Sequence, residues 1–288
     1  MGDAEFMKIV STIEELRQAL DAYRLKGKTI GLVPTMGALH EGHVSLFRRA
    51  GMDNDVVVGT IFVNRVQFNN AEDFLKYPKT PQKDIAMLEE AQCDILFMPE
   101  EAEIYSEMEE IVVDLGPLGE VMEATRRPGH FEGVTRIVYC FFSLIKPDIA
   151  YFGQKDLQQF KVIEAMTRQL NLPVELVMCP VIREDTGLAM SSRNSRLSPQ
   201  GRLLASKLFT ALGYAGDLLQ FGDNPEKVKQ KVADFLAKFP SIELEYFEIV
   251  HEETLLPATS VQQGSGYALC VAAFLEGVRL IDNIVIIS

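Results

Sequence analysis

The sequence predicts an α/β fold, an open parallel sheet with helices on both faces, followed by a smaller α+β domain with antiparallel strands. Three observations predict it. Short β-branched apolar runs alternate with longer amphipathic stretches over the first 180 or so residues, which is the pattern of βαβ units. Beyond Val181, two helical stretches are followed by three consecutive strand-like runs. That order suits a separate antiparallel sheet. No internal repeat or low-complexity linker interrupts the 288 residues, a length that suits one large domain or two smaller ones. The expected domains are 1–181 and 182–288.

The elements follow in order. "STIEELRQALDAYRLKG" starts on a Ser/Thr cap, repeats apolar residues at Ile13, Leu16, Leu20 and Tyr23, and stops at Gly27, so it predicts a helix. "KTIGLVPT" predicts a short buried strand, and "GHVSLFRRA" a helix with Val44, Phe47 and Ala50 on one face. "DVVVGTIFVN" has the composition of a central parallel strand. "TPQKDIAMLEEAQ" predicts a helix after a proline, and "CDILFMP" another strand. Then come helix "FEGVTRIVYCFFSLIKP", strand "DIAYFG", helix "DLQQFKVIEAMTRQLN" and strand "PVELVMCPVI". In the second domain "SPQGRLLASKLFTALGYAGDLLQFG" and "NPEKVKQKVADFLAKFP" each predict one capped helix. "IELEYFEIVH", "GYALCVAAFLEG" and "VRLIDNIVII" predict the three strands.

The hydrophobic content of 47% is that of a globular protein with a buried core. A formal net charge of −13 argues against sequence-independent nucleic-acid binding, which lysine and arginine drive. It leaves room for a local basic pocket. No apolar run reaches the roughly 18 residues of a membrane span, and "MGDAEF" lacks the segments of a signal peptide. Met7 offers a second start, so residues 1–6 read either as a native extension or as an appended remnant. Cys93, Cys140, Cys179 and Cys270 are widely spaced and form no CxxC pair. Buried free thiols in a reducing cytoplasm fit better than a metal site or disulfides.

Five segments could carry chemistry. "HEGH" follows a strand and opens a helix, where free N–H groups and the helix dipole favour phosphate. Gly42 permits close approach, and His40 and His43 can donate to phosphate oxygens. Zinc would need more ligands than His130 and His251 offer, and HEGH is not HExxH. Taken alone, two histidines beside a turn are as often structural as functional. "GQKDLQQF" also joins a strand to a helix; Lys155 could reach a phosphate, and Asp156 could cap the helix, bind Mg²⁺ or hold a ribose hydroxyl. "MSSRN" puts two hydroxyls and a guanidinium in a Gly-flanked, mobile loop suited to polyphosphate. "FVNRVQF" places Asn64 and Gln67 at the sheet's carboxyl edge, where Gln67 and Gln159 could bracket a small polar substrate or be ordinary loop residues. "RRPGHFEG" reads as a rigid turn flanked by Arg127 and His130. Together, HxGH after a strand, a lysine turn and a Ser/Ser/Arg loop are the parts of an ATP-dependent adenylating site that works by positioning and electrostatics.

"IGLVPTMGALHEGH", "IFVN", "NAEDFLKYPKT", "RPGHFEGV", "KPDIAYFGQKDLQQF", "VIREDTGLAMSSRN" and "RLIDNIVI" occur in this order over nearly all of residues 8–288. With them the chain resembles the pantothenate synthetase (pantoate–β-alanine ligase) family of the HxGH nucleotidyltransferase superfamily. The resemblance implies a Rossmann-like sheet and a two-step reaction. ATP and pantoate give pantoyl adenylate and pyrophosphate with Mg²⁺, and the amine of β-alanine then gives pantothenate and AMP. It implies that His40, His43, Lys155, Ser191, Ser192 and Arg193 act on the phosphates. Met36, Gly42, Gly153, Asp156, Val181 and Met190 would complete the ATP site, with Asp156 a candidate Mg²⁺ ligand. Gln67 and Gln159 would hydrogen-bond pantoate against an apolar wall of Pro34, Met36 and Phe62. Asn64 would lie near the phosphates and the arriving β-alanine. The second domain and the "MSSRN" loop would close to keep water from the adenylate. A cytoplasmic homodimer without nucleic-acid or membrane partners is implied as well.

Two positions depart from the family pattern. Most members read Asn-Pro where this chain has Asn64-Arg65, and most have a small or polar residue where it has Arg136. Arg65 would loosen that turn or add a positive charge, and Arg136 would bind the substrate carboxylate or face an acidic residue. The alternative reading is another HxGH adenylyltransferase acting on a small acceptor, and an acceptor carrying phosphate would call for basic residues in place of Gln67 and Gln159. An aminoacyl-tRNA synthetase is disfavoured by the acidic balance, and a non-catalytic nucleotide-binding regulator by the full set of phosphate contacts.

Overall fold

The computed structural model describes residues 6–287, so the question of residues 1–6 lies almost wholly outside the described residues. In chain order the strands and helices are β1 (Lys8–Val10), α1 (Ile13–Arg24), β2 (Ile30–Thr35), α2 (Glu41–Asp53), β3 (Val56–Ile61), α3 (Ala71–Leu75), α4 (Pro81–Glu90) and β4 (Ile95–Phe97). Then follow α5 (Glu101–Glu107), α6 (Met122–Arg126), α7 (His130–Ile145), β5 (Ile149–Gly153), α8 (Leu157–Gln169) and β6 (Glu175–Cys179). The rest of the chain forms α9 (Pro199–Ala205), α10 (Lys207–Gln220), α11 (Pro225–Leu236), β7 (Glu243–His251), β8 (Gly266–Leu275) and β9 (Val278–Ile287).

The chain forms two compact units. One comprises the chain up to Leu115, Arg127–Gly153 and Gln159–Pro180. The other comprises Gly116–Arg126, Gln154–Gln158 and everything from Val181 onward. The division is therefore not collinear with the sequence: two short stretches before residue 181 belong to the second unit.

The first unit is built on a six-stranded parallel sheet in the order β1-β4-β3-β2-β5-β6. Side chains alternate across each strand, and the burial follows. Ile30 and Leu32, Val56 and Val58, Ile95 and Phe97, Ala150 and Phe152 pack on one face with α1, α7 and α8. Val33, Val57, Leu96 and Tyr151 pack on the other, with Phe47 of α2 and Leu88 of α4. Helices thus cover both faces, which is why these strands read as continuous apolar runs. From β2 the chain winds outward through β3 and β4, then returns to β5 on β2's other side. The carboxyl ends of β2 and β5 therefore form a topological switch point, the usual ligand crevice of such sheets.

The local signals explain the elements. Thr12 and Glu15 form a reciprocal capping box for α1, with bonds of 3.2 and 3.1 Å. Sequence reasoning missed β1, a three-residue edge strand too short to show a period, and the short helices α3, α5 and α6, of which α5 buries only Ile104.

In the second unit β7, β8 and β9 form an antiparallel sheet with β8 central. β8 is buried on both faces along most of its length. Leu208, Ala211, Leu212, Ala215 and Leu219 of α10 and Val228, Val232 and Leu236 of α11 pack into its core. The β8–β9 turn is Glu276-Gly277, both at positive φ (52° and 73°), as a tight two-residue hairpin requires. The stretch expected as one helix from Ser198 to Gly222 is two, α9 and α10, which meet at Ser206. The Ser206 hydroxyl donates back to the Leu203 carbonyl at 2.7 Å and competes with the helical ladder there.

Candidate active site

In the first unit, the site starts at the end of β2. Thr35 Oγ1 donates to the Thr60 carbonyl (2.7 Å) and accepts from the Gly37 N–H (3.2 Å). Gly37 and Ala38 then both adopt left-handed backbone, φ 77° and 50°. For alanine that conformation is costly, and a buried carboxylate offsets the cost. Asp84 of α4, 1% exposed, accepts the Ala38 N–H at 2.9 Å and the Leu39 N–H at 2.8 Å. The Thr80 hydroxyl also donates to it, at 3.0 Å. The loop that delivers His40 is thereby fixed on both sides. Sequence reasoning did not single out Asp84. Its signal was a carboxylate one turn before Leu88, on the face that α4 buries.

His40 caps α2 in extended conformation. Its N–H donates to Nδ1 of His43 at 3.4 Å, and the two rings lie 4.1 Å apart between centroids. With Nδ1 an acceptor, the neutral His43 ring carries its hydrogen on Nε2 and can donate there. Both imidazoles thus stand at the first turn of α2, with its dipole behind them. Gly42 is half-buried between them.

The end of β3 supplies the amides. Asn64 is 1% exposed and Gln67 8%. Asn64 Nδ2 donates to Gln67 Oε1 at 3.2 Å and to the Gly133 carbonyl at 3.0 Å. Those bonds turn the Gln67 amide so that its NH₂ faces Met36, Nε2 lying 3.0 Å from Sδ. His130 donates from Nδ1 to the Gln67 carbonyl at 2.8 Å. Asn64 is therefore occupied in holding Gln67. Phe62 packs edge-on against Tyr105 and Phe141, while Pro34 and Met36 are half-buried near the end of β2. Gln159 of α8 is half-buried, and among the described residues nothing bonds its amide. Its neighbour Gln158 is a structural residue of the second unit: it binds the Leu118 and Val121 carbonyls and the Glu123 N–H.

The two departures resolve differently. Arg65 is exposed, and its backbone N–H, which proline would lack, donates to the Tyr105 hydroxyl at 3.1 Å. Tyr105 in turn donates to Asn64 Oδ1 at 3.5 Å. The turn is therefore tied through Tyr105. Arg136 has a buried Nε without a hydrogen-bond partner, and among the described residues no carboxylate pairs with it, contrary to the expectation of an acidic neighbour.

The second unit holds the remaining residues apart from Gly153. Lys155 and Asp156 lie in a 3-10 turn after β5, with 3.6 Å between Nζ and Oδ1. Gly153 ends β5 and is in register with Cys179 of β6. Where the sequence suggests a mobile loop before α9, the structure has an internally bonded one. Arg183 bridges Ala189 across a turn, and the Met190 N–H donates to the Ile182 carbonyl at 2.9 Å. Ser191 Oγ accepts the Arg193 N–H at 3.2 Å, which leaves its own hydrogen for a ligand. Asn194 ties Ala189 and Glu184 with bonds of 3.1 and 3.0 Å. Val181, Met190, Ser191, Ser192 and Arg193 are all half-buried. Pro34, Met36, His40, Gly42, His43, Phe62, Asn64, Gln67, Gly153 and Gln159 thus belong to one unit, and Lys155, Asp156 and the 181–193 set to the other.

Among the described residues no group of three or more His, Cys, Asp or Glu side chains is placed to hold a metal. Asp156 is a single carboxylate whose side chain is 47% exposed. That fits Mg²⁺, which takes one or two protein carboxylates and completes its shell with phosphate and water. All four cysteines are free and buried.

Comparison with known proteins gives a consistent result. The sequence model of the pantoate–β-alanine ligase family matches residues 8–285. Pantothenate synthetase of Cytophaga hutchinsonii is 46% identical over 283 residues, covering 96% of this chain and 99% of that one. Pantothenate synthetase of Thermotoga petrophila is 44% identical over 281 residues, covering 97% and 100%. The crystal structure of pantothenate synthetase from Thermus thermophilus superposes with a TM-score of 0.90 at 41% identity, over 96% of this chain and 99% of that chain. The Francisella tularensis pantoate–β-alanine ligase, complexed with β-γ ATP and β-alanine, gives a TM-score of 0.78 at 31% identity, over 96% and 97%.

Proposed function

The chain belongs to the pantoate–β-alanine ligase family, and from that premise we propose how its side chains divide the reaction. The enzyme joins pantoate to β-alanine with cleavage of ATP. The pantoate carboxylate attacks the α-phosphorus and pyrophosphate leaves; the amine of β-alanine then attacks the acyl adenylate, forming the amide and releasing AMP.

The observation that carries the assignment of roles is the His40–His43 arrangement at the first turn of α2, beside the switch point of the sheet. Adenylation builds negative charge on the α-phosphate oxygens and on the leaving pyrophosphate. Donors held in place before the reaction stabilise that charge without reorganising. His43 donates from Nε2, His40 stands beside it, and the N–H groups of α2 add the dipole. Lys155 supplies a point charge to the phosphates, and Ser191, Ser192 and Arg193 supply hydroxyls and a guanidinium. Gly153, Val181 and Met190 border the nucleotide, and Asp156 serves the ribose or the metal. Mg²⁺, held by the ATP phosphates and Asp156, would neutralise phosphate charge.

Pantoate needs amide partners for its hydroxyls and an apolar wall for its methyls. Gln67, oriented by Asn64, and Gln159, whose amide bonds no protein group among the described residues, are the partners; Pro34, Met36 and Phe62 form the wall. Asn64 acts through Gln67, on the side where β-alanine arrives. Free, buried thiols favour a reducing compartment, the cytoplasm. A homodimer is expected, and light scattering at working concentration checks it.

The decisive experiment is isotope exchange between ATP and pyrophosphate without β-alanine. Exchange that depends on pantoate supports the adenylate route. A folded protein that makes pantothenate yet shows no such exchange rules it out.

A further inference from the structure

The reaction as assigned leaves one sequence motif unused, the "RLIDN" of β9. Two of its residues, Asp282 and Asn283, are 5% and 3% exposed. Polar side chains buried so deeply are kept only with full hydrogen bonding, and the partners of these two are specific. The Asn283 carboxamide is committed to the turn that carries Lys155. Its Nδ2 donates to the carbonyls of Gln154 (2.9 Å) and Lys155 (3.0 Å), and its Oδ1 accepts from Gln154 Nε2 (3.2 Å). Asp282 is committed to the other phosphate-handling segment. Both its oxygens accept from Arg183, at 2.6 and 3.0 Å, and Oδ1 also accepts the Asn283 N–H at 2.8 Å. Arg183 is itself clamped. It donates to the carbonyls of Gly187 (3.1 Å) and Asn283 (3.2 Å) and lies 3.8 Å over the Phe209 ring. It bridges Ala189, two residues before Ser191.

Adjacent residues of one strand therefore hold both segments, and the peptide N–H between them joins the two networks. We propose that Asp282 and Asn283 are positioning residues that fix the Lys155 turn and the Ser191–Arg193 segment in one register, so that both meet the same triphosphate. The proposal rests on the assignment of those two segments to the ATP phosphates. Every polar atom of the pair is used inside the protein, so neither is a catalytic residue. The pair acts by placement, and misplacing a charged group by about 1 Å costs on the order of 10²-fold in rate.

The test is a double-mutant cycle in pantoate-dependent ATP–pyrophosphate exchange, using wild type, Asn283→Ala, Lys155→Ala and the double variant. Asn283→Ala is expected to lower exchange by about 10- to 10²-fold and to raise the KM for ATP, with the KM for pantoate unchanged. In the Lys155→Ala background the same replacement is expected to cost less than about threefold, because its effect passes through Lys155. Equal losses in both backgrounds, or a lowered melting temperature with unchanged kcat and KM for ATP, would overturn the proposal. Lys155→Ala at wild-type rate would remove the phosphate assignment itself, and the proposal with it. Should Asn283→Ala not fold, Arg183→Lys serves for the other arm. Its ammonium keeps the charge facing Asp282 but loses the fork. Its cost is expected to vanish in a Ser192→Ala background, and additive losses there would sink the proposal.

Discussion

Gly133 lies flat against the backbone of Gln67: a Cβ on Gly133 would sit 2.7 Å from both Cα and N of Gln67 and 2.8 Å from the Val66 carbonyl carbon. Within α7 a glycine costs about 1 kcal/mol relative to alanine, so the close approach explains its presence. The Gly133 carbonyl also receives Asn64. Gly133→Ala must push the Arg65–Gln67 turn away from α7, because backbone cannot yield as a side chain does. Overpacking of this kind costs about 1–3 kcal/mol, and the displaced amide is Gln67's. The expected outcome is a lowered melting temperature and a KM for pantoate raised several-fold, with the KM for ATP nearly unchanged. Steady-state kinetics with each substrate varied in turn checks it.

Asp84 makes a different prediction. Asp84→Ala leaves the buried N–H groups of Ala38 and Leu39 without their acceptors. Each such loss costs about 1–3 kcal/mol, and the loop loses the support for its left-handed pair. Asp84→Asn keeps one acceptor and turns an NH₂ against the other N–H. Both variants should lose adenylation more than they lose β-alanine transfer from preformed adenylate, since the loop delivers His40 and His43. Single-turnover measurement of the two half-reactions separates these effects, and equal loss in both would refute the positioning role.

Much of the fold was legible because its signals are local. β2 and β3 show their burial as continuous apolar runs, and Thr12, Pro81, Pro199 and Pro225 mark helix starts. The candidate site was legible where a motif is contiguous, as in His40–His43 or Ser191–Arg193. It was not legible where support comes from afar. Asp84 stands more than 40 residues from the loop it holds, and Asn283 about 130 from Lys155. No period or spacing connects such pairs. Ser206 was missed for another reason: its break in the helix depends on one hydroxyl choosing a backbone carbonyl over solvent.

In the proposed division of roles, His43 is assigned the most direct part in the chemistry. His43→Ala removes a donor that is oriented before the reaction begins, and loss of one such donor costs about 10²–10³ in rate. Folding should be little affected, since His43 is only half-buried. The loss should fall on the rate of pantoate-dependent exchange at saturating ATP rather than on the affinity for pantoate. Near-normal exchange by a folded His43→Ala protein would remove His43 from the adenylation step.

The buried thiols contribute to the loss of stability at alkaline pH. Burial pushes the Cys93 and Cys270 thiols up to about 12, and Cys140 up to about 11. Cys93 Sγ also donates to the Ile95 carbonyl at 3.2 Å, a bond that only the thiol form makes. In the unfolded chain these groups ionise near about 8.5. A folded-state value raised above the unfolded one gives stability that is fully present below about 8.5 and is lost as pH rises toward the folded value. The melting temperature should therefore be flat from about pH 7 to 8 and fall from about pH 9 upward, where unfolded thiols begin to release protons. Replacing Cys93 and Cys270 together by alanine should flatten that decline relative to the variant's own value at pH 7. The same thiols should react with Ellman's reagent only after denaturation, since thiolate is the reactive form. Fast reaction of the native protein at pH 8, or an alkaline slope untouched by the replacements, would contradict the assignment.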